Sequence, residues 1–181
     1  MIYLLAGHTV QNGRGTGAFG IDGFDEAVEA VKLRNDITAA LRARGVKVAN
    51  EVNTSPLAQV VAWLRSLVKK EDKVIDIHFN AAGPAATGVE VLIDDTPTEV
   101  ERQFAEKLAA TISRTLGIRR RGVLGVKRES ESQHSSLAII SGPSVAINVL
   151  IEVCFLSNKN DVDSYRKNYA ELVKNLADAI A

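Results

Sequence analysis

The sequence predicts an α/β fold: a single domain over residues 1–181, three layers deep, with a mostly parallel twisted sheet flanked by helices on both faces. Three observations carry that expectation. Apolar runs at 2–6 and 145–153 lack the in-out alternation of a half-exposed strand and read as strands covered on both sides. Helix-period segments separate the strands, which implies parallel crossovers. The chain of 181 residues, 46% of them hydrophobic, is about the length of one domain and can bury a sizeable core.

Taken in order, residues 2–6 read as a first buried strand with Gly7-His8 at its exit. Residues 9–23 hold Gly13, Gly15, Gly17, Gly20 and Gly23, a density that no regular element tolerates, so this is a loop. Asp25-Glu26 opens a helix in which Ala30, Leu33, Ile37, Ala40 and Leu41 recur at threes and fours until Gly45. Glu26 and Glu29 near its start complement the helix dipole. Residues 46–52 alternate as a strand does, and Ser55-Pro56 introduces a second helix running through Trp63 and Leu67 to Val68. Val74-Ile75-Asp76-Ile77-His78-Phe79-Asn80-Ala81 is a buried strand that runs out into a polar cluster.

Further on, residues 88–93 read as a strand and 98–116 as an amphipathic helix ended by Gly117. Arg119-Arg120-Arg121 reads as a solvated charge run before a short strand-like stretch to Lys127. Residues 129–136 are polar and loop-like, with His134 expected to be exposed. The run 145–153 is interrupted by Asn148 and carries Glu152 near its end. From Asp161 a closing helix sets Tyr165, Tyr169, Leu172, Leu176 and Ile180 along one side.

Composition excludes several classes of function. Lys and Arg number 22 against 22 Asp and Glu, so the chain has neither the basic stripe of a nucleic-acid binder nor the polybasic face of a membrane-surface protein. The lone Cys154 rules out an internal disulfide framework and reads as a small buried hydrophobe rather than a nucleophile. The N-terminal segment lacks the basic start of a signal peptide, and no apolar span of about 18 residues implies membrane insertion. A monomer is favoured.

The chemistry is expected at one rim. Open α/β sheets keep ligands in the crevice beyond the carboxyl ends of their strands, and His8, Glu26, His78 and Glu152 occupy such positions. Two imidazoles and a carboxylate are the ligand set of a catalytic zinc ion, and a second, unbound carboxylate is the proton acceptor such a site needs. Glu152 lies inside an apolar run, where burying a carboxylate is costly unless something positive or donating meets it. Asp76 shares a strand face with His78 and Asn80. Orienting an imidazole and pairing with a nearby lysine are both open to it, and the lysine is the simpler expectation. Asn80 reads as a loop-shaping hydrogen bonder.

These residues also carry a resemblance. Ala6-Gly7-His8, Ile77-His78-Phe79-Asn80-Ala81, Gly88-Val89-Glu90-Val91 and Ile151-Glu152-Val153-Cys154-Phe155-Leu156-Ser157-Asn158 with Asp161 resemble the zinc-dependent N-acetylmuramoyl-L-alanine amidases of bacterial cell-wall hydrolases and phage endolysins. The resemblance implies one Zn2+ held by His8, Glu26 and His78, with Glu152 as the catalytic carboxylate and peptidoglycan or muropeptides as substrate. Glu29, one turn beyond Glu26, is the competing ligand; the resemblance favours Glu26, because the family's ligand opens the helix at a matching distance before the helix-ending glycine, here Gly45.

The chain departs from the family pattern at Thr9-Val10, where a second glycine is usual, and at Asp76, where serine is usual. It departs again at Asn53-Thr54, where arginine is frequent, and at Cys154, where glycine is common. The activity implied is hydrolysis of the amide between the lactyl group of N-acetylmuramic acid and L-alanine, at the periplasmic or extracellular face, reached by phage-type release or from a trimmed chain. The alternatives are a zinc endopeptidase cutting within the stem peptide and a catalytically silent wall-binding domain of the same fold.

Overall fold

The computed structural model describes residues 1–11, 14–133 and 136–181. Its centre is a six-stranded sheet in the order β4-β1-β5-β8-β6-β7. The strands are β1 (Ile2–Ala6), β4 (Val48–Ala49), β5 (Lys73–Asn80), β6 (Glu90–Ile93), β7 (Val126–Arg128) and β8 (Ile147–Phe155). A separate hairpin joins β2 (Val10–Gln11) to β3 (Arg14–Gly15) within the glycine-rich segment expected to be loop.

Three long helices, α1 (Glu26–Arg42), α3 (Glu99–Leu116) and α5 (Lys159–Ile180), cover one face of the sheet. Their apolar stripes pack with Leu4, Ile75, Ile77, Val149 and Ile151 in the larger core cluster. On the other face α2 (Leu57–Leu67) and the short α4 (Ala138–Ser141), which periodicity did not reveal, pack over Tyr3, Leu5, Val74, Leu92 and Leu150. Successive residues of a strand point to opposite faces, so this second face also presents Asp76, His78 and Glu152. Asn148, the polar interruption in β8, donates its side-chain amide to the carbonyls of Ile139 and Ile140 at 2.8 and 2.6 Å and so ties α4 to the sheet.

Two expectations change for physical reasons. The strand read over 46–52 shrinks to two residues because side chains replace its ladder beyond Ala49. The Asn50 amide donates to the Leu4 carbonyl at 2.7 Å, and Glu51 Oε1 accepts the Ala6 N–H at 3.0 Å. Neighbouring strands pair parallel except β6 with β8, so β6 and β7 run opposite to the other four. No helix lies between β5 and β6, and a chain that returns without a crossover comes back antiparallel. As a result β6 begins at the rim where β5 and β8 end.

That rim is held by Asp161, which is wholly buried in the first turn of α5. Its carboxylate accepts the Thr87 hydroxyl at 2.5 Å and the N–H groups of Gly88 and Phe155, each at 3.0 Å. The approach to β6, the end of β8 and the start of α5 therefore converge on one side chain. No described helix is long and apolar enough to cross a membrane.

Candidate active site

Three chain segments bring the expected metal-binding side chains together. Glu26 opens α1, where Asp25 caps the helix by accepting the N–H groups of Ala27 and Val28 at 3.1 and 3.3 Å. Such a cap is worth about 1 kcal/mol and fixes where the helix begins. His78 is near the end of β5. His8 follows β1 with a backbone φ of 68°, in the left-handed region. The ligand-capable atoms of His8, Glu26 and His78 all lie within 4.8 Å of one another.

Glu26 is the centre of the group and is 3% exposed. One carboxylate oxygen, Oε1, stands 3.1 Å from His78 Nδ1 and accepts the Phe79 N–H at 3.2 Å. The other, Oε2, stands 3.2 Å from His8 Nε2 and accepts the Ala18 N–H at 2.8 Å. Burial pushes this carboxyl up, but the bonds to His78 and His8 outweigh it and hold the group well below the usual carboxylate range. Glu29, the competing candidate, instead accepts the hydroxyl of Tyr165 at 3.3 Å.

The far side of the His78 ring corrects one expectation. Asp76 has no lysine partner among the described residues; its Oδ2 lies 3.2 Å from His78 Nε2. The imidazole is thus gripped between two carboxylates, one at each nitrogen. Burial pulls its pKa down, yet Asp76, Glu26 and Glu152 together raise it well above the usual histidine value.

Glu152 faces His78 across the β5–β8 ladder and Glu90 across the β6–β8 ladder. Its Oε2 is buried without a hydrogen-bond partner among the described residues. Burial pushes the carboxyl up to about 8; His78 opposes the shift, and Glu26, Glu90 and Asp76 reinforce it. A carboxyl so placed can take and return a proton near neutral pH.

Beyond Glu152 lies a group that the sequence did not single out. Glu90 accepts from Asn80 Nδ2 at 3.1 Å, Arg121 Nε at 2.6 Å and Lys127 Nζ at 2.8 Å. Arg121 is therefore not part of a solvated run, and Asn80 reaches across strands rather than shaping only its own loop. On the opposite side of the His8-Glu26-His78 group, a cleft of about 350 Å³ opens between the end of β1 and α2, lined by Leu5, Val60, Ile139, Leu150 and Asp76. Cys154 is fully buried, and burial raises its thiol pKa well above the usual value, as suits a small core residue. His134 lies outside the described residues.

The donor set fits a zinc ion on chemical grounds. Two imidazole nitrogens and one carboxylate oxygen are the borderline donors that catalytic zinc sites use, and three protein ligands leave a further position open. The backbone is shaped around the group. An ideal Cβ on Gly17 would lie 2.6 Å from both Glu26 Oε2 and His8 Cδ2, so only glycine fits there.

The fold and the site together define an α/β domain with a candidate metal site at the ends of its strands. The comparisons narrow the class. The family described as N-acetylmuramoyl-L-alanine amidase matches residues 2–181, and the chain belongs to that family. By that match it is an N-acetylmuramoyl-L-alanine amidase-family domain.

A Staphylococcus aureus (strain NCTC 8325 / PS 47) protein assigned as an autolysin is 33% identical over 119 residues. That alignment covers 65% of this chain and 22% of the relative, so the chain corresponds to about a fifth of that protein. A solved structure assigned as an N-acetylmuramoyl-L-alanine amidase from Neisseria meningitidis superimposes with a TM-score of 0.78 at 29% identity, covering 99% of this chain and 93% of that one. An N-acetylmuramoyl-L-alanine amidase from Clostridium difficile 630 gives a TM-score of 0.80 at 18% identity, with 99% and 93% covered, and shows that the fold is shared.

Proposed function

We propose that the domain hydrolyses the amide between the lactyl group of N-acetylmuramic acid and L-alanine with one zinc ion held by His8, Glu26 and His78, and with Glu152 moving the proton. The observation that carries this reading is the meeting of three ligand-type atoms within 4.8 Å from segments up to 70 residues apart, on the sheet face that also presents Glu152. When bound, zinc supplies Lewis-acid activation, lowering the pKa of a water from 15.7 toward roughly 7.

The remaining work falls to the chain's own side chains. Glu26 is fixed by the Ala18 and Phe79 N–H groups, so its carboxylate enters the site already oriented. Asp76 accepts the Nε2–H of His78, which sets the ring plane and would leave Nδ1 available to hold the ion. Glu152 takes the proton of the attacking water at its carboxylate and returns it to the departing amine of L-alanine. Acid–base help of this kind contributes about 10²- to 10⁴-fold. All these groups lie within one chain.

Metal analysis of the purified protein, joined to digestion of purified cell walls with and without chelator, tests the reading. The expected result is one zinc per chain, chelator-sensitive digestion, and release of intact stem peptides with a free L-alanine amino group. Cuts within the stem peptide would instead identify an endopeptidase. Wall binding without digestion by metal-loaded protein would identify a silent binding domain.

A further inference from the structure

The three consecutive arginines after α3 have different fates. Arg119 Nε donates to the Thr87 carbonyl at 3.1 Å, and Arg120 Nη1 reaches the Leu124 carbonyl at 3.5 Å. Arg121 alone turns toward Glu90. Its Nε donates to Glu90 Oε2 at 2.6 Å, and its guanidinium carbon stands 4.8 Å from the centroid of the Phe155 ring. One edge and one face of the guanidinium are thereby fixed by the protein. Its two terminal nitrogens have no hydrogen-bond partner among the described residues, and the side chain is 25% exposed.

Arg121 shares its carboxylate partner with a second cation. Glu90 is a single buried carboxylate, and it meets two cations, because Lys127 Nζ approaches the same Oε2 at 2.8 Å. Neither cation has an ion-pair partner other than Glu90 among the described residues, and Glu90 faces Glu152 in register. A guanidinium fork with both terminal donors free matches a carboxylate bidentately, and a lysine beside it adds a second donor.

We propose that Arg121, set in place by Glu90 and Phe155 and assisted by Lys127, forms a subsite for a carboxylate of the peptide substrate. The proposal rests on the amidase reading above and adds what that reading lacks: how the peptide is recognised on the far side of Glu152. In peptidoglycan the nearest such group to the cleaved bond is the α-carboxylate of the γ-linked D-glutamate that follows L-alanine. That residue also occurs as isoglutamine, with a neutral carboxamide at the same place. The subsite favours the acid.

Product peptides test this with the intact protein. Wall digestion is measured in the presence of L-alanyl-γ-D-glutamyl-L-lysine or L-alanyl-D-isoglutaminyl-L-lysine, both linked through the γ-carbonyl, which differ only in that group. For wild type the acid is expected to inhibit at about tenfold lower concentration than the amide, the scale of one charge-assisted hydrogen bond. Arg121→Gln is expected to bring the two inhibition constants together, and Lys127→Gln, which leaves Arg121 in place, to narrow the gap. Equal inhibition of wild type by both peptides, or none by either, overturns the proposal. An unchanged ratio in folded Arg121→Gln overturns it too, since a residue that merely neutralises Glu90 weakens both peptides alike. Failure of the metal-loaded protein to digest walls at all is a different result, and it strikes the amidase reading itself.

Discussion

Gly7 and His78 occupy space that only a glycine leaves open: an ideal Cβ on Gly7 would lie 2.0 Å from Cε1 of the His78 ring and 2.1 Å from its Nε2. The glycine after β1 is thus part of the geometry of the candidate metal site without offering a ligand. Gly7→Ala is expected to displace the imidazole and weaken zinc binding by about tenfold or more, the scale on which disturbed ligand orientation costs affinity. Circular dichroism and a chelator competition assay on the same sample separate this from unfolding. Unaltered affinity in the folded variant would show that the ring has room to move.

Glu152→Gln keeps the shape of the side chain and removes its capacity to take a proton. Turnover of purified walls is expected to fall by about 10²- to 10⁴-fold with zinc content unchanged. Retained activity would place the proton acceptor elsewhere.

His78→Ala removes one of three expected ligands and leaves Asp76 and Glu26 facing each other without the imidazole between them. Zinc content, read by elemental analysis, is expected to fall from one per chain toward none. Full metal content would remove His78 from the ligand set.

Asp76→Ser restores the residue usual in the family and takes away the acceptor 3.2 Å from His78 Nε2. The expected loss is about ten- to hundredfold in zinc affinity, with the fold retained. Asp76→Asn, which keeps an acceptor oxygen, is expected to lose less. Identical affinities in all three proteins would mean that Asp76 does not act through the ring.

Asp161→Ala strands the Thr87 hydroxyl and the N–H groups of Gly88 and Phe155 in a buried place. Each unmet donor costs about 1–3 kcal/mol, so stability measured by denaturant unfolding is expected to drop by about 3 kcal/mol or more. A change below about 0.5 kcal/mol, the range of an ordinary surface substitution, would deny Asp161 its role in holding the rim.

Much of the architecture was legible because it depends on local pattern. The apolar run through Val74, Ile75 and Ile77, the three-and-four spacing from Ala30 to Leu41, and the stripe from Tyr165 to Ile180 each state a period, and a period states which face is buried. The two-residue β4 was not legible in this way. Its alternation continues to Val52, but Asn50 and Glu51 intercept the edge of β1 with their side chains, and no pattern in hydrophobicity records where a side chain replaces a backbone ladder. The direction of β6 followed from the missing crossover helix, a feature of the connection rather than of the strand.

Sequence alone determined the residue types available for chemistry and the strand ends where they would gather: His8, Glu26, His78 and Glu152 each sit beside a local signal of a strand exit or helix start. Tertiary structure decided which of them meet and what else joins them. Asp76 turned to His78 instead of a lysine, Arg121 left its charge run for Glu90, and Gly7 and Gly17 made room for side chains distant in the chain. Contacts of this kind depend on the register of β5, β8 and β6 and on side-chain direction, and a one-residue change in register would send His78 or Glu152 to the opposite face. Hydrophobic periodicity reports the face of an element, while the partners across that face are settled only when the sheet assembles.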